Sequence, residues 1–196
     1  MSRGPAYGER HTVHAKQLPE DEVLFCNNCK EDGMNIYEYL DKLGIPYVRH
    51  DHEPVYTCEQ AERLNIPGGA ARTKNLFLRD RKGRRHFLVT VSADKSVDIK
   101  ALEVLLGVKG LSFASNERMM TYLGLTPGAV TILGILHDAN NAVEVIVDNE
   151  VWKEEAMQCH PLVNTSTLVI SMHELSRFIR ATGHEITLVD VPERNG

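Results

Sequence analysis

The chain has 196 residues, of which 42% are apolar and 25% charged, and a formal net charge of −5; this fits one globular domain, or one domain with an arm, large enough to bury its own core. No apolar run approaches the roughly 18–20 residues that span a bilayer, and the charged N-terminal stretch holds no apolar core of a secretory leader. Four cysteines (Cys26, Cys29, Cys58, Cys159) are too few for a disulfide scaffold at this length and point to reduced thiols and a cytoplasmic location.

Residues 1–33 are polar and aperiodic and read as a flexible N-terminal arm, with the folded domain over 34–196. Within the arm, His11-x-x-His14 and Cys26-x-x-Cys29 are pairs that can hold zinc. Their order is reversed from the usual finger and the histidines are closely spaced, so no metal is expected. Asn35 predicts an N-cap for a helix through Leu43, stopped by Gly44. Pro46–Arg49 reads as a strand, and Thr57-Cys-Glu-Gln60 has the capping-box spacing for a helix from Cys58 to about Leu64. Thr73–Arg79 and Arg85–Ser92 flank the turn Asp80-Arg-Lys-Gly83 and predict a β-hairpin with a basic tip. Helices are expected after Asp98, to Leu106 and Gly107, and after Ser115, to Leu123 and Gly124. Ile132–His137 and Val143–Val147 read as strands, followed by a short helix near Trp152. A strand over Thr167–Ile170, a helix from Ser171 to Ala181 and a strand over Ile186–Val189 complete the chain. Short strands and a hairpin mixed with helices predict an α+β domain with a mixed, mainly antiparallel sheet and surrounding helices.

The acidic total hides a local reversal. From Arg72 to His86 there are seven Lys/Arg against one acid, Asp80. A phosphate backbone feels a patch, because charges are screened beyond roughly 8–10 Å. Aromatic residues are only 6%, so no broad stacking surface for single strands is expected. The chain has no glycine-rich nucleotide fingerprint, no P-loop, no H-E-x-x-H and no G-x-S-x-G elbow; a hydrolase here would use a positioned water. Three polar clusters remain. Lys74 and Asn75 stand where a loop becomes a strand, and such a lysine either holds a phosphate or carbonyl oxygen or is a solvated strand end. The run from His160-Pro161 to Thr167 either lines a pocket with donors and acceptors or forms a hydrogen-bonded turn. The glycine-spaced loop from Gly124 to Gly134 either brings backbone N–H groups to a ligand or is a helix stop and turn.

In this order, the segments His52-Glu-Pro-Val-Tyr-Thr57, Thr73-Lys-Asn-Leu-Phe-Leu78, Gly124-Leu-Thr-Pro-Gly128-Ala-Val130 and His160-Pro-Leu-Val-Asn-Thr165 resemble the free-standing aminoacyl-tRNA deacylases of the YbaK-like superfamily. That superfamily is related to the editing insertion of bacterial prolyl-tRNA synthetase. The ending Phe178–His184 looks similar, and the resemblance runs from about Met34 to Val191. It implies a YbaK-like editing-domain fold and hydrolysis of the ester of mischarged tRNA, foremost alanyl-tRNA(Pro), without a cofactor. Lys74 matches the family's active-site lysine, Asn75 its neighbouring asparagine and His160 the histidine of the amino-acid pocket, while Gly134 follows the glycine/proline loop. Where relatives often carry a second proline in that loop, this chain has Ile132. The resemblance therefore implies catalytic roles for Lys74, Asn75 and the backbone N–H groups near Gly134. It implies a pocket of His160, Val55, Tyr56, Val163, Asn164 and Thr165. It also implies that Arg79, Arg81, Lys82, Arg84 and Arg85 meet tRNA phosphates. The implied partners are the acceptor end of tRNA and prolyl-tRNA synthetase, not a membrane. The alternatives are a non-catalytic module of the same fold that binds tRNA or the synthetase, and a hydrolase of another small ester.

Overall fold

The computed structural model describes residues 11–12, 35–55, 60, 64, 66 and 69–194. In chain order the elements are β1 (His11–Thr12), α1 (Ile36–Lys42), β2 (Val48–Asp51), β3 (Thr73–Arg79), β4 (His86–Ser92), α2 (Ile99–Leu106), β5 (Ser112–Phe113) and α3 (Asn116–Leu123). A 3₁₀-helix (Ile132–His137) follows, then β6 (Val143–Asp148), α4 (Asn149–Trp152), β7 (Ala156–Cys159), β8 (Ser166–Ser171), α5 (Met172–Ala181) and β9 (Ile186–Val189). A six-stranded sheet has the order β1-β9-β6-β4-β3-β5, and a three-stranded sheet the order β2-β8-β7. Among the strands of the described residues, β4–β6 and β6–β9 pair in parallel and the other pairs are antiparallel. The α+β class and the mixed, mainly antiparallel character follow.

The hairpin β3–β4 pairs in full register from Thr73↔Ser92 to Arg79↔His86. Because strand side chains alternate, its two faces enter two different cores. Leu78, Phe87, Val89 and Val91 pack with Leu102, Leu105 and Leu106 of α2. Phe77 and Leu88 join the larger core with Met157, Leu168 and Ile170 of the small sheet, the 3₁₀-helix and α5. With both faces covered, β4 is buried from His86 to Val91 and reads as a continuous apolar run. Each large side chain so buried contributes about 1.5–3 kcal/mol.

The caps read from the sequence at Asn35, Asp98, Ser115 and Ser171 are present. Asn35 Oδ1 accepts from the N–H groups of Tyr37 and Glu38, and Glu38 answers by accepting from Asn35 N–H. Asp98, Ser115 and Ser171 cap α2, α3 and α5. The end of α5 is tied to the large sheet through a buried network. His184 Nε2 lies 3.0 Å from Asp138 Oδ2, Thr182 Oγ1 lies 2.9 Å from His184 Nδ1, and Asp138 also accepts from Val143 N–H. Burial would raise the Asp138 carboxyl, but hydrogen bonds from His184, Val143 and Ala142 outweigh it and hold the group below its usual range.

One expected strand is corrected. Ile132–His137 is a 3₁₀-helix, capped by Thr131, whose hydroxyl accepts from Leu133 N–H at 3.4 Å. A short apolar run bounded by turns is compatible with either element, and burial on all sides lets it coil. Ile132 to Leu136 are all buried. Gly134 sits in a crowded position: a Cβ would lie 2.7 Å from Leu125 Cδ1, which would have to shift. The short strands β5 and β7 add to the sequence reading, and β1 pairs with β9 on the edge of the large sheet. Most of the helix expected from Cys58 to Leu64 lies outside the described residues.

Candidate active site

The two sheets meet where the chain enters β3. Ala71 forms a parallel bridge with Met157, and Ala71 N–H donates to the Ala156 carbonyl at 2.8 Å while Gln158 N–H donates to the Ala71 carbonyl at 3.0 Å. Thr73 Oγ1 extends the junction to the Gln158 carbonyl at 3.4 Å. From this parallel bridge the chain reaches Asn75 four residues after Ala71 and His160 three residues after Met157.

Asn75 is fixed by both ends of its amide. Its Nδ2 donates to the Val130 carbonyl of the glycine-spaced loop at 3.4 Å. Its Oδ1 accepts from Thr90 Oγ1 at 2.7 Å, across the hairpin from its register partner. Thr90 is fully buried, which fixes the amide's orientation.

His160 follows β7 and is half-buried. Its Nδ1 lies 3.4 Å from the Ser166 carbonyl; a carbonyl only accepts, so Nδ1 carries the proton. Burial pushes this ring below its ordinary pKa, opposed by the Ser166 carbonyl and aided by nearby His52. The neutral ring keeps Nε2 as a second hydrogen-bonding atom. His52 stands edge-on to it at 6.5 Å between ring centroids. His52 Nδ1 donates to the Glu53 carbonyl at 2.8 Å, and its Nε2 meets Thr167 Oγ1 at 3.0 Å. Tyr37 Oη and Ser166 Oγ, 3.2 Å apart, extend the group. Backbone bonds from His52 N–H to Thr165 and from Val55 N–H to Asn164, both 2.9 Å, clamp the two loops together. In the second of these loops Leu162 takes a left-handed φ of 65°, a conformation costing about 1–3 kcal/mol in a non-glycine residue.

The sequence-read residues distribute as follows. Asn75, His160, Val55 and Asn164 fall in or beside these clusters. Lys74 alternates to the opposite face of β3, where its half-buried ammonium donates to the Ala93 carbonyl at 2.8 Å. Among the described residues no hydrogen bond joins Lys74 to Asn75 or His160. Gly134 is buried and its N–H donates to the Thr131 carbonyl at 3.0 Å. Val163 is 46% exposed, Thr165 is exposed, and Tyr56 lies outside the described residues. At the hairpin tip Arg81, Lys82 and Arg84 are exposed. Arg79 donates to the carbonyls of Asp80 and Arg81. The Arg85 guanidinium also pairs within the chain, donating to both Glu144 carboxylate oxygens at 2.6 and 2.7 Å. The sequence reading passed over Tyr37, His52 and Thr90 as site residues, while Thr167 ended the polar run it singled out; Thr90 was recoverable from the hairpin register. Cys159, beside His160, is fully buried and burial pushes its thiol to about 12, so it is no nucleophile.

The aminoacyl-tRNA editing domain profile matches residues 52–178. The chain belongs to the aminoacyl-tRNA editing domain family. The matched span of this editing domain runs from His52 to the middle of α5 and contains Lys74, Asn75, Gly134 and His160. It is 40% identical over 152 residues, 78% of this chain and 93% of the relative, to the prolyl-tRNA editing protein ProX of Acetoanaerobium sticklandii. It is 32% identical to the prolyl-tRNA synthetase associated domain-containing protein 1 of Danio rerio, over 75% of this chain and 80% of that one. Two solved structures share the fold. One, the hypothetical protein APE2540, has a TM-score of 0.63 at 20% identity and covers 80% of this chain and 97% of that chain. The other, described as a candidate trans-editing enzyme for prolyl tRNA synthetase, has a TM-score of 0.59 at 18% identity and covers 79% of this chain and 92% of that chain.

Proposed function

We propose that this editing domain is a free-standing deacylase that hydrolyses the ester joining a small amino acid, alanine, to the 3′-terminal ribose of tRNA(Pro). Water adds to the ester carbonyl, the carbon–oxygen bond to the ribose breaks, and the ribose oxygen takes the proton, leaving free alanine and tRNA. The ester is already activated, so orientation and electrostatic support suffice. The observation that carries this reading is Asn75, its amide held at both ends by Thr90 and Val130. An amide fixed at both ends is a preorganised donor for the attacking water or the developing oxyanion. Neutral His160, ordered by Ser166, shapes the amino-acid pocket. Lys74, on the other face of β3 and bonded to the Ala93 carbonyl, keeps the role the resemblance implies, a positive charge for the terminal nucleotide phosphate where the RNA passes the start of the strand, and Arg81, Lys82 and Arg84 meet the acceptor arm. Val55 and Asn164 contribute the wall that β2 and β8 bring together, with Val163 and Thr165 at its rim; Tyr56 joins this set on the resemblance alone. The loop ending in Gly134 acts through the Val130 carbonyl that orients Asn75.

Selectivity follows from size. A synthetase site large enough for proline discriminates against smaller residues by only about 1–3 kcal/mol per methylene. A second pocket that fits alanine rejects proline by overlap. The reading places the protein with translation in the cytoplasm, beside prolyl-tRNA synthetase. Incubation with alanyl-, cysteinyl- and seryl-tRNA tests it: alanine is released from alanyl-tRNA(Pro) by the wild-type chain and not by Lys74→Ala. Release from none of the three substrates overturns the deacylase reading and leaves a binding module.

A further inference from the structure

The hairpin tip is one wall of a larger hollow. Arg79, Arg81 and Lys82 face Phe113 of β5 and Ser115 and Arg118 at the start of α3 across a cavity of about 390 Å³. Two glycines make room for two of these arginines. At Gly83, φ +63°, a Cβ would lie 2.7 Å from Arg118 NH2; at Gly110, φ +69°, one would lie 2.8 Å from Arg81 Cβ. Arg118 is further set by the Gly83 carbonyl at 3.3 Å and by His86 Nε2 at 2.8 Å. The one acid of the turn, Asp80, already accepts from Arg84 and Arg85 N–H groups at 2.7 and 3.2 Å. Phe113 is 62% exposed beside these cations. A concave surface with four cationic side chains, one hydroxyl and a flat apolar face matches the chemistry of a sugar–phosphate backbone, where Arg and Lys take the phosphates. The arginines come from segments distant in sequence and converge on one hollow.

We propose that this hollow binds phosphodiesters of the tRNA acceptor stem, with Arg81, Lys82 and Arg118 on the phosphates and Phe113 against an adjoining ribose. The proposal rests on the editing reading for the identity of the RNA, and it extends the RNA-facing surface from the hairpin to β5 and α3. Its position argues for the stem. Arg79 stands four residues along β3 from Asn75, about 14 Å at roughly 3.4 Å per residue. That is about four nucleotide steps at the roughly 3.4 Å rise of a stacked strand. A terminal nucleotide at Asn75 thus puts earlier phosphates, not its own, in the hollow.

The test uses the full chain, an uncharged acceptor-stem minihelix and the single-stranded CCA trinucleotide, with binding read by fluorescence anisotropy across salt concentrations. Arg81→Gln and Arg118→Gln each weaken minihelix binding about five- to tenfold and lower the slope of log Kd on log salt by about one. Phe113→Ala weakens it about twofold with the slope unchanged, and CCA binding follows none of these changes. Arg118→Lys restores the slope, which a merely structural role at Gly83 and His86 would not do. Arg81 is exposed, so its variant keeps the test open should Arg118→Gln loosen the turn. Unchanged affinity and slope in Arg81→Gln and Arg118→Gln overturn the proposal, as does an equal loss for CCA. Alanine release by the wild-type chain is measured separately. Hollow-dependent binding without release sinks the editing reading alone; release without hollow dependence sinks this proposal alone.

Discussion

Asn75 uses a single amide to join a strand, its hairpin partner and a loop, and removing either bond has a distinct signature. Asn75→Ala is expected to lower alanine release about 100-fold, the scale of a lost preorganised donor, with the far-ultraviolet dichroism unchanged. Thr90→Val leaves Asn75 Oδ1 without its buried donor; it should cost about 1–2 kcal/mol of stability and lower kcat more than KM, whereas a packing role alone would move only the unfolding midpoint. His160 sets an acid limb. Burial holds its pKa below the ordinary value, so the ring is neutral at physiological pH. As pH falls through that lowered value the ring takes a proton beside His52, and release declines. Stability declines on the same side, because the unfolded chain takes up that proton at higher pH than the folded one. A kcat/KM profile against pH checks this, and His160→Gln should remove the limb.

At the scale of elements, the hairpin, the capped helices and β9 were legible because each carries a local signal. Asn35, Asp98, Ser115 and Ser171 are caps by residue type, and Gly107 and Gly124 end helices in the left-handed conformation. The 3₁₀-helix was not legible: Ile132-Leu-Gly-Ile-Leu has no period, and only burial on every side decides its form. Strand β7, Ala-Met-Gln-Cys, is weak in intrinsic strand preference and exists because β8 and Ala71 pair with it. The candidate site was legible in part for the same reason. Asn75, His160 and Thr167 stood out by type and context, while His52 and Thr90 acquire meaning only once the end of β2 and the β3–β4 register deliver them. Arg85 counts as a free charge until β6 places Glu144 beside it. Gly134→Ala tests the packing of the 3₁₀-helix: the added methyl meets Leu125 and should cost about 1–3 kcal/mol, read from the midpoint of urea unfolding.

Across the whole molecule, two cores on opposite faces of one sheet are joined to the α5 end by the Asp138–His184–Thr182 network. Asp138→Ala removes the acceptor shared by His184 and Val143 and should cost about 3 kcal/mol, measured by thermal or urea unfolding near neutral pH. The wild-type carboxyl is held below its usual range, so its contribution is present above the unfolded-state value and is lost as pH falls through the folded one; the variant should lack that part of the acid transition. Cys159 carries a different consequence. A thiol sealed under the small sheet and protonated up to about 12 is invisible to iodoacetamide until β7 parts from its neighbours. The alkylation rate of the Cys159 peptide, followed by mass spectrometry, is therefore a clock for the parting of β7 from its neighbours, and RNA that binds only the folded chain should slow that clock.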